Sequence, residues 1–151
     1  MYHNDVLKFT CEIPANWKVK AGLAAMFSGK NKTTLAHIEG RGTATITAGA
    51  LSRPELQDKQ ARAEAIKQEL SAGPAKGVAV TVETDKPIAG EANVVAAEYP
   101  RYGVWRGAPC QWRIGRVSIV HGDLEYRIDW ETAHDFHEGA QQLIASFKFD
   151  T

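Results

Sequence analysis

Period-two alternation recurs along this chain and confines it to folds built on a sheet. In residues 124–130, LEYRIDW, Leu124, Tyr126, Ile128 and Trp130 oppose Glu125, Arg127 and Asp129. Successive side chains of a strand point to opposite faces, so this spacing predicts a strand with one buried face. The same reading places strands at 7–13 with Leu7, Phe9, Cys11 and Ile13 inward, and at 43–51 with Ala44, Ile46, Ala48 and Ala50 inward. A further one at 78–84 turns Val78, Val80 and Val82 inward, and 92–99 and 110–120 read as longer strands. In the last of these the phase slips. Trp112 and Ile114 share one face and Val117 and Ile119 the other, so a bulge at Gly115 is expected to return all four to one core. His121-Gly122-Asp123 reads as a turn.

Two helices punctuate the strands. Ser52 and Glu55 have capping-box spacing, Pro54 lies in the first turn, and Leu51 and Leu56 match a hydrophobic staple. Leu56, Ala63, Ile66 and Leu70 then form an apolar stripe that stops at Gly73-Pro74. The pairs Glu55–Lys59 and Asp58–Arg62 belong to a solvated face. The second helix is expected to start at Thr132, with Asp135 completing a capping box. Its apolar stripe runs through Phe136, Ala140, Leu143, Ile144 and Phe147. Strands joined by short loops favour an antiparallel sheet. Val94 and Ala96 oppose Val95 and Ala97, which suggests a sheet covered on both faces. The expected class is therefore α+β: an α/β/α sandwich of about six to seven antiparallel strands, formed by residues 1–151 as one domain.

The ends of the chain carry a resemblance. "FTCEIPANWKV" (9–19) resembles the opening strand and P-x-x-W of the PsbP-like superfamily, and "LEYRIDWETAHDFHEGAQQLIASFKF" (124–149) resembles its closing strand, helix and Ser-Phe-x-Phe ending. That group includes DcrB-type bacterial lipoproteins and the Eag chaperones of type VI secretion effectors. The resemblance implies an α/β/α sandwich around an antiparallel sheet and a non-catalytic binding or assembly role. The group shares no active-site motif, so no functional residue carries over.

Charge argues in the same direction. Lysines and arginines number 18 and acids 18, a balance that offers no footprint for a phosphate backbone, so nucleic acid is not the expected partner. No apolar run approaches the roughly 20 residues of a membrane span. The opening "MYHNDVLKFT" lacks the basic start and apolar stretch of a signal peptide, which favours the cytoplasm for the chain as given, or the cell envelope if a leader was removed. With only two cysteines, Cys11 and Cys110, free thiols are favoured over a disulfide.

Several chemistries fail on spacing. "FSGKNKTT" (27–34) lacks the first glycine and the hydroxyl residue of a phosphate loop, because Ala24 and Asn31 stand at those positions. Asn31-Lys32-Thr33 is a formal glycosylation sequon. No G-x-S-x-G nucleophile elbow is present, and Cys110 has no histidine tied to it by spacing. In "HDFHEG" (134–139), His134 and His137 would lie about 60° apart around a helix, but two histidines make half of a tetrahedral metal set. A solvated helix face is the expected reading, with no metal and no cofactor. "YPRYGVWRGAPCQWR" (99–113) concentrates aromatics and arginines, and its middle reads as a Gly- and Pro-rich loop. Tyr99 and Trp112 are expected in the core, and Arg101, Tyr102, Trp105 and Arg106 form the candidate partner-binding site, since Tyr, Trp and Arg dominate binding hot spots.

The expected function is a non-catalytic protein- or peptide-binding or assembly domain, with a homodimer left open. One alternative is a small hydrolase or metal-dependent enzyme using His134, His137 or His121. The other is an apolar small-molecule binder with a cavity beneath the aromatic loop.

Overall fold

The structure is a computed structural model that describes residues 1–20 and 32–150. Residues 27–31, which carry most of the phosphate-loop-like stretch and the Asn31 acceptor, lie outside the described residues. The strands are β1 (Tyr2–Asn4), β2 (Phe9–Cys11), β3 (Trp17–Val19), β4 (Lys32–His37), β5 (Gly42–Ala50), β6 (Thr81–Glu83), β7 (Val94–Trp105), β8 (Ala108–His121), β9 (Leu124–Ala133) and β10 (Lys148–Phe149). The helices are α1 (Lys59–Ala72) and α2 (His137–Ser146). Seven strands form one antiparallel sheet in the order β3-β4-β5-β9-β8-β7-β6, and β1, β2 and β10 form a small second sheet.

Two cores lie on opposite faces of the large sheet. On one, α1 brings Ala63, Ile66 and Leu70 onto Val95, Ala97 and Tyr99. On the other, α2 brings Ala140, Leu143 and Phe147 together with Phe9, Cys11 and Trp17, over Ile46, Val117, Ile119, Ile128 and Trp130. This two-sided cover accounts for the phase slip in β8 without a bulge. Pairing runs unbroken from Val94↔Ile119 to Trp105↔Ala108 and from Trp112↔Ala133 to His121↔Leu124. Ile114 packs on the α1 side while Val117 and Ile119 pack on the α2 side. Gly115 is there to admit a ring: a Cβ at 115 would stand 2.4 Å from the indole of Trp130, its direct cross-strand partner.

The helix starts differ from the sequence reading. Pro54–Gln57 forms a 3₁₀ turn, and Asp58, whose carboxylate accepts from the Ala61 amide, caps α1 in place of Ser52. An extended backbone at Asp58 separates the two pieces, so Glu55 and Lys59 share no helix face. Lys59 instead donates to the Thr84 carbonyl. Arg62 is 1% exposed rather than solvated. Its guanidinium donates to Ser118 Oγ and to the carbonyls of Leu56 and Asn93, and Ser118 in turn donates to the buried carboxylate of Glu125. Burial pushes the Arg62 pKa down and the Glu125 charge opposes that shift. Thr132 is a fully buried strand residue, not a cap.

Two smaller expectations also change, while the expectation of free thiols agrees with the structure. Residues 78–84 yield only the short β6, with Val78 36% exposed, and Ile13 at 37% exposure lies outside the core that Leu7, Phe9 and Cys11 join. Cys11 and Cys110 are both free thiols, and burial raises the Cys11 pKa to about 11.

Candidate functional site

The expected loop at residues 102–109 is the tip of a regular hairpin. The turn is the two residues Arg106 and Gly107, both at positive φ (51° and 79°), the conformation that joins tightly twisted antiparallel strands. Glycine meets that demand freely, and the Gly and Pro content around the turn is why the segment reads as a loop. Tyr99 and Trp112 are buried, as expected.

The hairpin projects beyond both neighbouring strands. β9 reaches only to Ala133, opposite Trp112, and β6 reaches only to Thr81, opposite Glu98. From Tyr99 to Trp105, β7 therefore has β8 on one side and, among the described residues, no strand on the other. A two-residue turn makes Trp105 and Ala108 a hydrogen-bonded pair, and the pattern then alternates. Tyr102 and Val104 thus direct their N–H and C=O groups outward, along an open edge. Pro100 and Pro109 both fall at positions that owe no amide to the β7–β8 ladder, which fits this register.

The four candidate residues differ in environment. Tyr102 is 78% exposed and its neighbour Val104 67% exposed. Trp105 is half-buried: the Arg41 guanidinium lies 3.9 Å from its ring centroid and 4.3 Å from that of Phe136, and Arg106 stacks at 4.4 Å. Arg101 pairs with Glu131 at 3.5 Å and lies 5.7 Å from the Trp112 ring centroid. Trp105 and Arg41 thereby tie the hairpin to the body of the fold, while Tyr102 and Val104 are held out to solvent.

A second feature lies between the sheet and α2. A partly open cavity of about 580 Å³ is lined by Ala96, Val117 and Trp130 of the sheet, by His137 and Ile144 of α2, and by Ile88 and Ala89. Arg113 and Glu98, which also line it, form a close ion pair across β7 and β8. None of Arg101, Tyr102, Trp105 and Arg106 lines this cavity, so it does not sit beneath the aromatic residues of the hairpin.

HDFHEG is a junction rather than a uniform helix face. His134–Phe136 forms a 3₁₀ turn and α2 begins at His137. Phe136 is half-buried against His37, with ring centroids 5.3 Å apart, and stands outside the main core. His137 is drawn inward, its ring 5.0 Å from that of Trp130 and its buried Nδ1 without a hydrogen-bond partner among the described residues. Desolvation, and then the neighbouring Arg113 charge, lower its pKa. Gly139 faces Trp17, where a Cβ would come within 2.7 Å of the indole nitrogen. The glycine of HDFHEG thus seats the tryptophan of "PANW" on α2.

The three histidines offered as catalytic are not brought together. His134 is exposed, His137 lies on Trp130, and His121 at the end of β8 contacts Glu91 at 2.7 Å and stacks on Phe149 at 4.0 Å. Among the described residues, no group of three or more His, Cys, Asp or Glu could hold a metal ion. Among them too, no helix is long and apolar enough to cross a membrane.

A seven-stranded antiparallel sheet flanked by two helices matches the Mog1p/PsbP-like fold. No protein-family model matches the sequence, and no curated protein matches it. Solved structures do. The Ran-binding protein Mog1p of Saccharomyces cerevisiae aligns with a TM-score of 0.63 at 8% identity, covering 98% of this chain and 93% of that one. A mutant form of Mog1 gives 0.60 at 10% identity, over 95% and 92% of the two chains. A protein of Bacteroides thetaiotaomicron gives 0.57 at 13% identity over 99% of this chain, which spans 48% of that protein's length. Likeness at these identities is likeness of fold, and it agrees with the fold that the PsbP-like resemblance implies.

Proposed function

We propose that this chain is a non-catalytic binding domain that takes an extended segment of a partner protein along the open edge of β7. The observation that carries the reading is the stretch from Tyr99 to Trp105, with β8 on one side and, among the described residues, nothing paired on the other. Outward backbone groups of an unpaired edge are a template for a further strand, and strand addition is a recurrent mode of peptide capture. Tyr102 and Val104, exposed on that strand, would supply side-chain contacts to the incoming segment. The reading is supported by the fold shared with Mog1p, which is itself a Ran-binding protein.

Selection of peptides from a random display library on the immobilised protein tests the proposal. Peptides that bind should lose affinity for Val104→Pro, which removes an outward amide and leaves the β7–β8 ladder intact. Undiminished binding to Val104→Pro, or failure to select any peptide, contradicts it. Concentration-dependent dimerisation that Val104→Pro abolishes would assign the edge to a second copy of the chain instead.

A further inference from the structure

We propose that the cavity under α2 is a small-molecule site for an uncharged, mainly apolar compound carrying one oxygen acceptor directed at Arg113. Its volume, about 580 Å³, lies within the range of small-molecule pockets, and its floor of Ala96, Val117 and Trp130 is apolar. Small side chains at Ala96 and Ala89 keep the space open.

Charge decides the class of ligand. The ionic groups of the lining are matched in pairs: Arg113 with Glu98, and Lys86 with Glu83 at 3.3 Å. His137 is held toward its neutral form by burial and by Arg113. A carboxylate entering this space would meet Glu98 and gain no unpaired cation, so burying it would go uncompensated. Besides the buried His137 Nδ1, which has no partner among the described residues, a donor set is left on Arg113. Arg113 engages Glu98 through Nε alone, and its Nη1 and Nη2 have no acceptor among the described residues. A carbonyl or ester oxygen satisfies them without adding charge. The indole of Trp130 and the imidazole of His137, 5.0 Å apart, would contact the apolar body.

Three probes test this: methyl indole-3-acetate, its free acid indole-3-acetate, and the chain ketone 2-nonanone. Each is titrated into nitrogen-15-labelled protein while the indole N–H signal of Trp130 is followed by NMR. The ester and the ketone are expected to move that signal saturably, and the acid to bind about tenfold or more weakly. Arg113→Gln should weaken the ester by about tenfold, the loss expected for one charge-assisted hydrogen bond. Ala145→Phe, a change at an exposed position on the cavity rim, should abolish binding while leaving the melting temperature in place. A Trp130 signal that neither uncharged probe moves, an acid that binds as well as its ester, or full binding by Ala145→Phe would each overturn the proposal.

Discussion

The ring of Trp130 occupies the place where a side chain at Gly115 would be. The two residues pair directly across β8 and β9, and a Cβ on Gly115 would come within 2.4 Å of the indole. No rotation at residue 115 relieves such a contact, because the Cβ position is fixed by the backbone. Gly115→Ala is therefore expected to destabilise the fold by about 1–3 kcal/mol, the range for overpacking a filled core. Adding Trp130→Leu should recover part of that loss, so the two changes would be non-additive in urea denaturation.

Gly139→Ala reverses the usual helix rule. Gly139 lies in the first turn of α2, where replacing glycine by alanine normally gains up to about 1 kcal/mol. Here the added methyl would stand 2.7 Å from Trp17 Nε1, so the substitution should lower the melting temperature instead. Calorimetry of the variant decides the sign.

Arg62 is buried as a donor hub between the 3₁₀ turn, the residue before β7, and Ser118 on β8. Arg62→Ala removes those bonds and leaves Glu125 with less compensating charge, a loss of roughly 3 kcal/mol. Arg62→Lys is expected to recover little of it, since a single ammonium cannot reproduce the planar fork. Urea midpoints of the two variants provide the check.

His137 sets a pH dependence of known sign. Its pKa is lowered by desolvation first, then by Arg113 and, more weakly, by His134, while Glu98 acts in the opposite direction. The unfolded chain takes up this proton near the ordinary value of 6.5 and the folded protein only at lower pH. Its contribution is thus present above 6.5 and lost progressively as the pH falls below it. His3 has the opposite sign, since its Asp150 hydrogen bond raises its pKa and the linked stability fades as pH rises. The useful quantity is therefore the difference between wild type and His137→Asn. Unfolding free energies at pH 7.5 and 5.5 should fall less steeply in the variant.

Alternation of side chains makes the middle of β5 and β9 and the inward face of β2 readable, because a sheet with one buried face writes its register into the sequence, but it fails at the strand ends, where Ala50 and Leu124 are exposed and Glu125 is buried. It misled at β8 because both faces of that strand are covered, and a two-sided strand mimics a bulge. Helix boundaries were displaced at Ser52 and Thr132, where capping-box spacing was met by residues that fold as a bend and a strand. Arg62 carried no sequence signal of burial, since its acceptors come from Leu56, Asn93 and Ser118, which only the fold assembles. The Arg113–Glu98 pair could have been found. Reading Arg106-Gly107 as a two-residue turn sets Glu98 opposite Gly115 and one diagonal step from Arg113. The solvated-face reading of HDFHEG holds at His134 and fails at His137, because only the fold brings the Trp130 ring against it.

The most direct test of the edge-strand account is amide hydrogen exchange at single-residue resolution, with and without a library-selected peptide. Tyr102 and Val104 should gain protection on binding, because their outward amides acquire partners. Gly103, whose amide already faces β8, should change less. Protection confined to other strands or helices, with Tyr102 and Val104 exchanging as in the free protein, would contradict the account.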